Sequence, residues 1–218
     1  MGRIDIQQQL RNDIVSGELP FGSRLRIEEL ATRYGVSHMP IREALRELHG
    51  EGLVVIERHR GARVRPVHIN LVEDLFDIRS AIETMVARRA ADRRTEQHIA
   101  RMEEAEVALE AIVAAGDYFS VPAANHAFHG VINDGAGNPG TLWFADRHWL
   151  LIAALWQQYG YNAERFHVVI DDHRQMIRAI QRRDGAAASI LMGAHIERAK
   201  HDLLARMAAD PKPDILKD

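Results

Sequence analysis

Residues 35–45, GVSHMPIREAL, join a glycine, a small hydroxyl residue, a proline and an arginine in one short run, and their reading decides the fold. Gly35 is suited to the positive dihedral of a tight turn. Ser37 is suited to the N-cap of the helix that follows, where its hydroxyl would accept from free backbone N–H groups. Pro40 then falls in the first helical turn, where a missing N–H costs no intrahelical bond. Ile41, Ala44, Leu45 and Leu48 form an inward stripe at helical spacing, which leaves Arg42 and Arg46 on the other face.

Working outward, Ile4, Ile6, Leu10 and Ile14 predict a helix over 4–15 that ends near Gly17, and IEELATRYG predicts a second that stops at Gly35. The third runs to about Gly50. GLVVIERHRGARVRPV then reads as two extended runs about a turn at His59 to Gly61. Three helices and a basic hairpin describe a winged helix-turn-helix. Such a unit presents the amino-terminal end of its third helix to the major groove. That puts Ser37, His38, Met39 and Pro40 at the DNA surface, Arg42 and Arg46 within reach of phosphates or a guanine edge, and Arg60 and Gly61 at the wing tip; Arg33 completes the set. The alternative is that Arg42 and Arg46 pair with Glu43 and Glu47 on a solvated helix face.

Charge permits the DNA reading without demanding it. Residues 1–68 hold eleven arginines against nine acids, although the whole chain of 218 residues carries a formal charge of −3. With 46% hydrophobic and 27% charged residues the composition is that of an ordinary globular protein. There is no cysteine, which excludes disulfides and thiolate sites. Neither a signal core nor a run of eighteen apolar residues occurs, so a cytoplasmic protein is expected.

Beyond Leu71 strand signals vanish. Helices are predicted near 71–92, 95–115, 120–134, 139–159, 163–183 and 186–209, with RPVHIN (65–70) as linker and PKPD opening a frayed tail. The expected fold is therefore mainly α: a winged helix-turn-helix at 1–68 and an all-α bundle at 71–210. Asn125 and His129 are four apart on one face with Val121, Phe128 and Ile132; His173 shares a stripe with Val169 and Met176; His195 shares one with Met192 and Leu203. Three inward imidazoles each need a polar partner. Separate hydrogen bonds in the core or one shared metal ion would satisfy them. His126, His148, His167 and His201 read as surface or packing residues. Arg79 and Glu83 either face the same interior or form a surface i,i+4 pair. Charged runs such as RMEEAE read as solvated faces, and Trp143, Trp149 and Trp156 as packing or a dimer interface.

The pattern G.L..G.RL...ELA...GVS..PIREAL..L..EGLV......GARV resembles the winged-helix domain of GntR-type bacterial transcription regulators. DLFDIRSAIETMVARRAA, NHAFHGVINDGAGNP and DDHRQMIRAIQRRDGAAASILMGAHI resemble the all-helical FCD effector domain of the FadR-like branch. The resemblance implies a dimeric regulator, here a repressor, that reads a palindromic operator in double-stranded DNA mainly through Arg42 and the start of the third helix. It also implies a divalent metal, zinc first with nickel or manganese as alternatives, in a pocket that takes a small organic or sugar acid. The family's ligands fall on His129, His173, His195 and Asn125, with Asn125 where an aspartate is usual, and Arg79 would pair with the acid's carboxylate. His38 stands where the family usually has arginine. A rival reading makes the three histidines the zinc site of a hydrolytic enzyme fused to a DNA-binding domain; a non-catalytic scaffold is a third.

Overall fold

The structure is a computed structural model that describes residues 5–58, 60–161 and 163–210; the side chains of 139, 141–148 and 163 fall outside that description. Ile4, His59, the PKPD tail and the side chains of Trp143 and His148 therefore lie outside the described residues.

The amino-terminal unit contains the three expected helices. α1 (Ile6–Ser16) starts where the Asp5 carboxylate accepts from the Gln8 N–H at 3.1 Å. α2 (Ile27–Tyr34) stops at Gly35, whose φ of +66° lets the Val36 N–H turn back to the Ala31 carbonyl at 3.0 Å. α3 (His38–Gly50) follows after two residues. Ser37 occupies its N-cap with extended backbone, but its hydroxyl makes no capping bond. Pro40, third in the helix, has no N–H to offer that hydroxyl, which removes one of the two donors a capping side chain accepts from.

The wing is formed by β2 (Val54–Glu57) and β3 (Gly61–Val64), antiparallel with Val54 opposite Val64 and Glu57 opposite Gly61. A third strand, β1 (Arg24–Leu25), pairs with the other edge of β3. At two residues it is too short to show the alternation by which strands are recognised.

Among the described residues beyond the wing six helices follow: α4 (Ile69–Arg93), α5 (Glu96–Ala114), α6 (Val121–Gly135), α7 (Pro139–Tyr159), α8 (Ala163–Gln181) and α9 (Gly185–Ala209). α4 begins two residues earlier than expected because the His68 Nδ1 accepts from the Leu71 N–H at 3.0 Å. The linker shortens accordingly, and its Val67 is buried. α4 and α9 run antiparallel along their length, with Lys200 bonded to Asp77 and Gly193 beside Thr84. A Cβ at Gly185 would stand 3.1 Å from the Arg88 carbonyl oxygen, so glycine is what lets the start of α9 meet the end of α4.

One continuous core runs through both halves, from Leu10, Ile41 and Leu48 to Phe128, Met176 and Leu203. Each fully buried leucine or phenylalanine there contributes about 1.5–3 kcal/mol by removal from water. The halves also meet through polar atoms: the Gln158 amide, at the end of α7, donates to the Ile14 carbonyl of α1 at 2.9 Å. No described helix is long and apolar enough to cross a membrane.

Candidate functional site

Two surfaces carry chemistry. The first is the start of α3. Ser37, His38, Met39, Arg42 and Arg46 are exposed there, Met39 to 57%, and Pro40 is half-buried. Neither Arg42 nor Arg46 forms an ion pair with a described residue, so pairing with Glu43 and Glu47 is not seen. Arg60 and Gly61, at the wing tip, share a shallow cleft with His38 and Arg42. Arg24 and Arg26 line it too, carried by β1 and the residue after it; they escaped the sequence reading because they lie outside both the helix-turn-helix and the hairpin. Arg33 has a terminal nitrogen 2.8 Å from Asp13 and 3.7 Å from Glu18. It ties α2 to α1.

The second surface is a cavity inside the six-helix bundle, walled by α4, α6, α7, α8 and α9. His129 and His195 line it and His173 is fully buried; one nitrogen of each of the three lies within 4.8 Å of one nitrogen of each of the others. Each imidazole is held by a different carboxylate at its Nδ1: His129 by Glu83 at 2.6 Å, His173 by Glu106 at 2.7 Å and His195 by Asp172 at 3.1 Å. When Nδ1–H donates to a carboxylate, the lone pair sits on Nε2. The Nε2 atoms of His129 and His173 are buried and have no hydrogen-bond partner among the described residues.

Electrostatics favours neutral rings at His195 and His173. Burial pushes His195 down to about 4, helped by the nearby His129 and opposed by Asp172. His173 is driven well below the ordinary histidine value by burial first and by the two neighbouring histidines second. Burial would raise the Glu83 carboxyl, but the Arg79 charge and His129 outweigh it and hold it well below the usual carboxylate range. Asp172 is likewise lowered, because bonds from His195 and Arg198 overcome the cost of burial. Glu106 differs: burial and the neighbouring Glu110 push it up to about 8 against the pull of Arg174, and its Oε1 has no partner among the described residues. Two orphaned ring nitrogens, three rings whose other nitrogen is occupied, and a buried acid short of positive charge fit a divalent cation.

Asn125 lines the cavity one turn before His129. Arg79 lines it as well, and its guanidinium donates to Glu83 at 2.7 Å, so the pair is interior and not a surface bridge. His126 belongs to the wall and not to the surface, stacked on Trp149 with ring centroids 4.3 Å apart. Trp149 and Trp156, read from the sequence as packing or a dimer interface, also face the cavity. Tyr161 stacks on Trp156 at 5.1 Å, and its buried hydroxyl has no partner among the described residues. Arg165 lies over the Trp156 ring and bonds Asp202.

The carboxylates Glu106 and Asp172 escaped the sequence reading. Glu106 sits within RMEEAE, a run that reads as solvated, yet it is fully buried. Its place between Met102 and Leu109 on the apolar stripe was the available signal.

Comparison with known families places a match to the FCD domain at residues 74–198 and a match to bacterial regulatory proteins of the gntR family at residues 4–64. The HTH-type transcriptional repressor GlaR of Escherichia coli is 30% identical over 88% of this chain and 91% of its own length. A probable D-xylose utilization operon transcriptional repressor of Paenarthrobacter nicotinovorans is 32% identical over 64% of this chain and 63% of that protein. Among solved structures, E. coli McbR/YncC superposes with a TM-score of 0.77 over 94% of this chain and 99% of that one, at 20% identity.

Proposed function

The chain belongs to the gntR family of bacterial regulatory proteins and carries an FCD domain, and from that premise we propose that it is a dimeric repressor whose hold on a palindromic operator is controlled by a small carboxylate bound with a divalent metal ion in the histidine cavity. Membership of a family of DNA-binding transcription regulators sets aside the hydrolytic enzyme.

The observation that carries the cavity half of this reading is the pair of partnerless buried nitrogens, His129 Nε2 and His173 Nε2, with His195 beside them. These three residues would hold the ion, zinc by the preference of imidazole donors, with Asn125 as a fourth ligand. Bound there, the metal supplies a Lewis-acid anchor for a carboxylate oxygen. Arg79 supplies a cationic partner for the same carboxylate, exchanging its bond to Glu83 for one to the ligand.

Asn125 shapes the energetics. An aspartate would leave one compensating negative charge on the ion, whereas a neutral amide leaves the full charge to the ligand. Metal retention is therefore expected to be low after dialysis of the protein alone and to rise severalfold when a binding acid is included. Metal analysis by plasma mass spectrometry reads this directly, and equal retention in both states would contradict it.

The DNA half rests on the exposed face of α3. Arg42 and Arg46 have no ion pair with a described residue to give up, and Ser37, whose hydroxyl makes no capping bond, keeps it for a phosphate. The His38 imidazole cannot present two parallel donors to a guanine edge, as the arginine fork does. The variant His38→Arg is expected to bind guanine-bearing operators about 10-fold more tightly or better, by the worth of one bidentate contact. Fluorescence anisotropy with operator duplexes checks it; unchanged affinity would mean that this position does not read a base.

A route between the halves is available in α7, which walls the cavity at Trp156 and touches α1 through Gln158 two residues later. Because half-sites lie a fixed distance apart on the duplex, a small change in the separation of two recognition helices alters binding strongly. The test of ligand binding is tryptophan fluorescence of metal-loaded protein titrated with a panel of organic and sugar acids. A saturable change for some acid in metal-loaded protein, reduced in metal-free protein, is expected. Its absence across the panel would count against the reading.

A further inference from the structure

We propose that Asp74, Ile78, Ala81, Met85 and Arg88 of α4 form a two-fold contact with the same five residues of a second copy of this chain. The proposal rests on the dimeric reading above and names the surface that makes the dimer.

The five residues recur at intervals of four and three, which places them on one stripe of a straight helix. All five are exposed, including Ile78 at 54% and Met85 at 39%, while the opposite side of α4 buries Val72, Phe76, Val86 and Ala90. Large apolar groups left in water on a helix otherwise sealed into the bundle mark a contact surface.

Charge selects the partner. Asp74 and Arg88 stand seven residues either side of Ala81, and neither forms an ion pair with a described residue. Their neighbours are already engaged, Asp77 by Lys200 and Arg79 with Glu83. A two-fold axis through Ala81, perpendicular to α4, brings Asp74 opposite the partner's Arg88 and sets Ile78 beside the partner's Met85, each contact made twice. A parallel arrangement would instead set like charges against each other. At the crossing point Ala81 presents only a methyl group, so the helix axes can approach to about 8 Å.

A stripe on one helix is narrower than the roughly 800 Å² per partner of a stable interface. α9 widens it: Ile190, 72% exposed, lies one turn from Gly193, which packs on Thr84 of α4. α4 also carries Arg79 and Glu83 into the cavity. A carboxylate that parts that pair thus acts on the helix that joins the two copies.

Sedimentation analysis of the full chain at micromolar concentration tests the proposal. The wild-type protein is expected to be a dimer, and Asp74→Arg and Arg88→Asp are each expected to weaken it on the order of 100-fold, because each replaces two attractions by two repulsions. Mixing the two single variants in equal amounts restores a dimer, since the mixed pair recovers both attractions, and the double variant Asp74→Arg/Arg88→Asp does so on its own. Restoration also shows that each variant is folded. A monomeric wild type would overturn both this proposal and the dimeric reading. A wild-type dimer with unaffected single variants, or an equimolar mixture of the weakened variants that stays monomeric, would overturn this surface while leaving the dimer intact.

Discussion

Replacing Arg42 with alanine is expected to reduce operator affinity on the order of 100-fold or more while leaving metal content and thermal midpoint unchanged. Arg42 sits in the second turn of α3, exposed, one turn from His38 and beside the wing-tip cleft shared with Arg60. Its guanidinium has no ion-pair partner among the described residues, so removing it leaves no buried charge behind. A bidentate contact to a guanine edge is worth about 1–3 kcal/mol of discrimination, and a dimer makes it twice. Arg46, one turn further along the helix, provides the contrast. If it meets phosphate, Arg46→Ala weakens all sequences alike and lowers the salt slope by about one per protomer, without relaxing base preference. Anisotropy titrations at several salt concentrations separate the two. Equal loss on operator and random duplex for Arg42→Ala would assign it to the backbone instead.

The second large effect is on the cavity. His173→Ala is expected to cost more metal affinity than the 10- to 100-fold typical of losing an outer partner. His173 is fully exposed to its neighbours and not at all to solvent: Phe128 stacks on it at 3.9 Å and Glu106 holds its Nδ1. On the proposed reading the variant removes a ligand and that carboxyl's partner together. Glu106→Gln keeps the ring and removes only the acid, so it belongs in the 10- to 100-fold class. Competition with a metallochromic chelator ranks the two variants against wild type, and circular dichroism checks that both fold. A His173→Ala protein with wild-type metal affinity would remove His173 from the site.

Much of this architecture was legible in the chain because its breakers are unambiguous. Gly35 takes the positive φ that the turn before α3 requires, and the bundle helices end near AGD, YGY and RDG as their spacing suggests. The inward faces of His129, His173 and His195 follow from helical periodicity within each segment. Which helices meet is a matter of tertiary packing, and that is where the reading thins. Glu106 and Asp172 lie in charge-rich runs, and only their positions beside apolar stripe residues distinguish them from solvated neighbours such as Glu104 and Asp171. Trp149 and His126 carry the opposite ambiguity: aromatic rings at helical spacing look the same whether they fill a core or wall a cavity. Arg33 shows the limit for surface charge, since nothing local announces that Asp13 and Glu18 will claim it. Ser37 shows how two local rules compete, because the proline that suits the helix start also removes one of the hydroxyl's two usual donors.

The central claim is that an acid bound at the histidine cavity controls DNA binding, and a gel-shift assay addresses it most directly. The probe is DNA from around the protein's own gene, with metal-loaded wild type and the His173→Ala variant, each with and without a panel of organic and sugar acids. The account predicts a shifted fragment whose affinity changes with a particular acid in the wild type and does not change in the variant. A fragment that shifts identically with every acid, or an acid response that survives in His173→Ala, would contradict it.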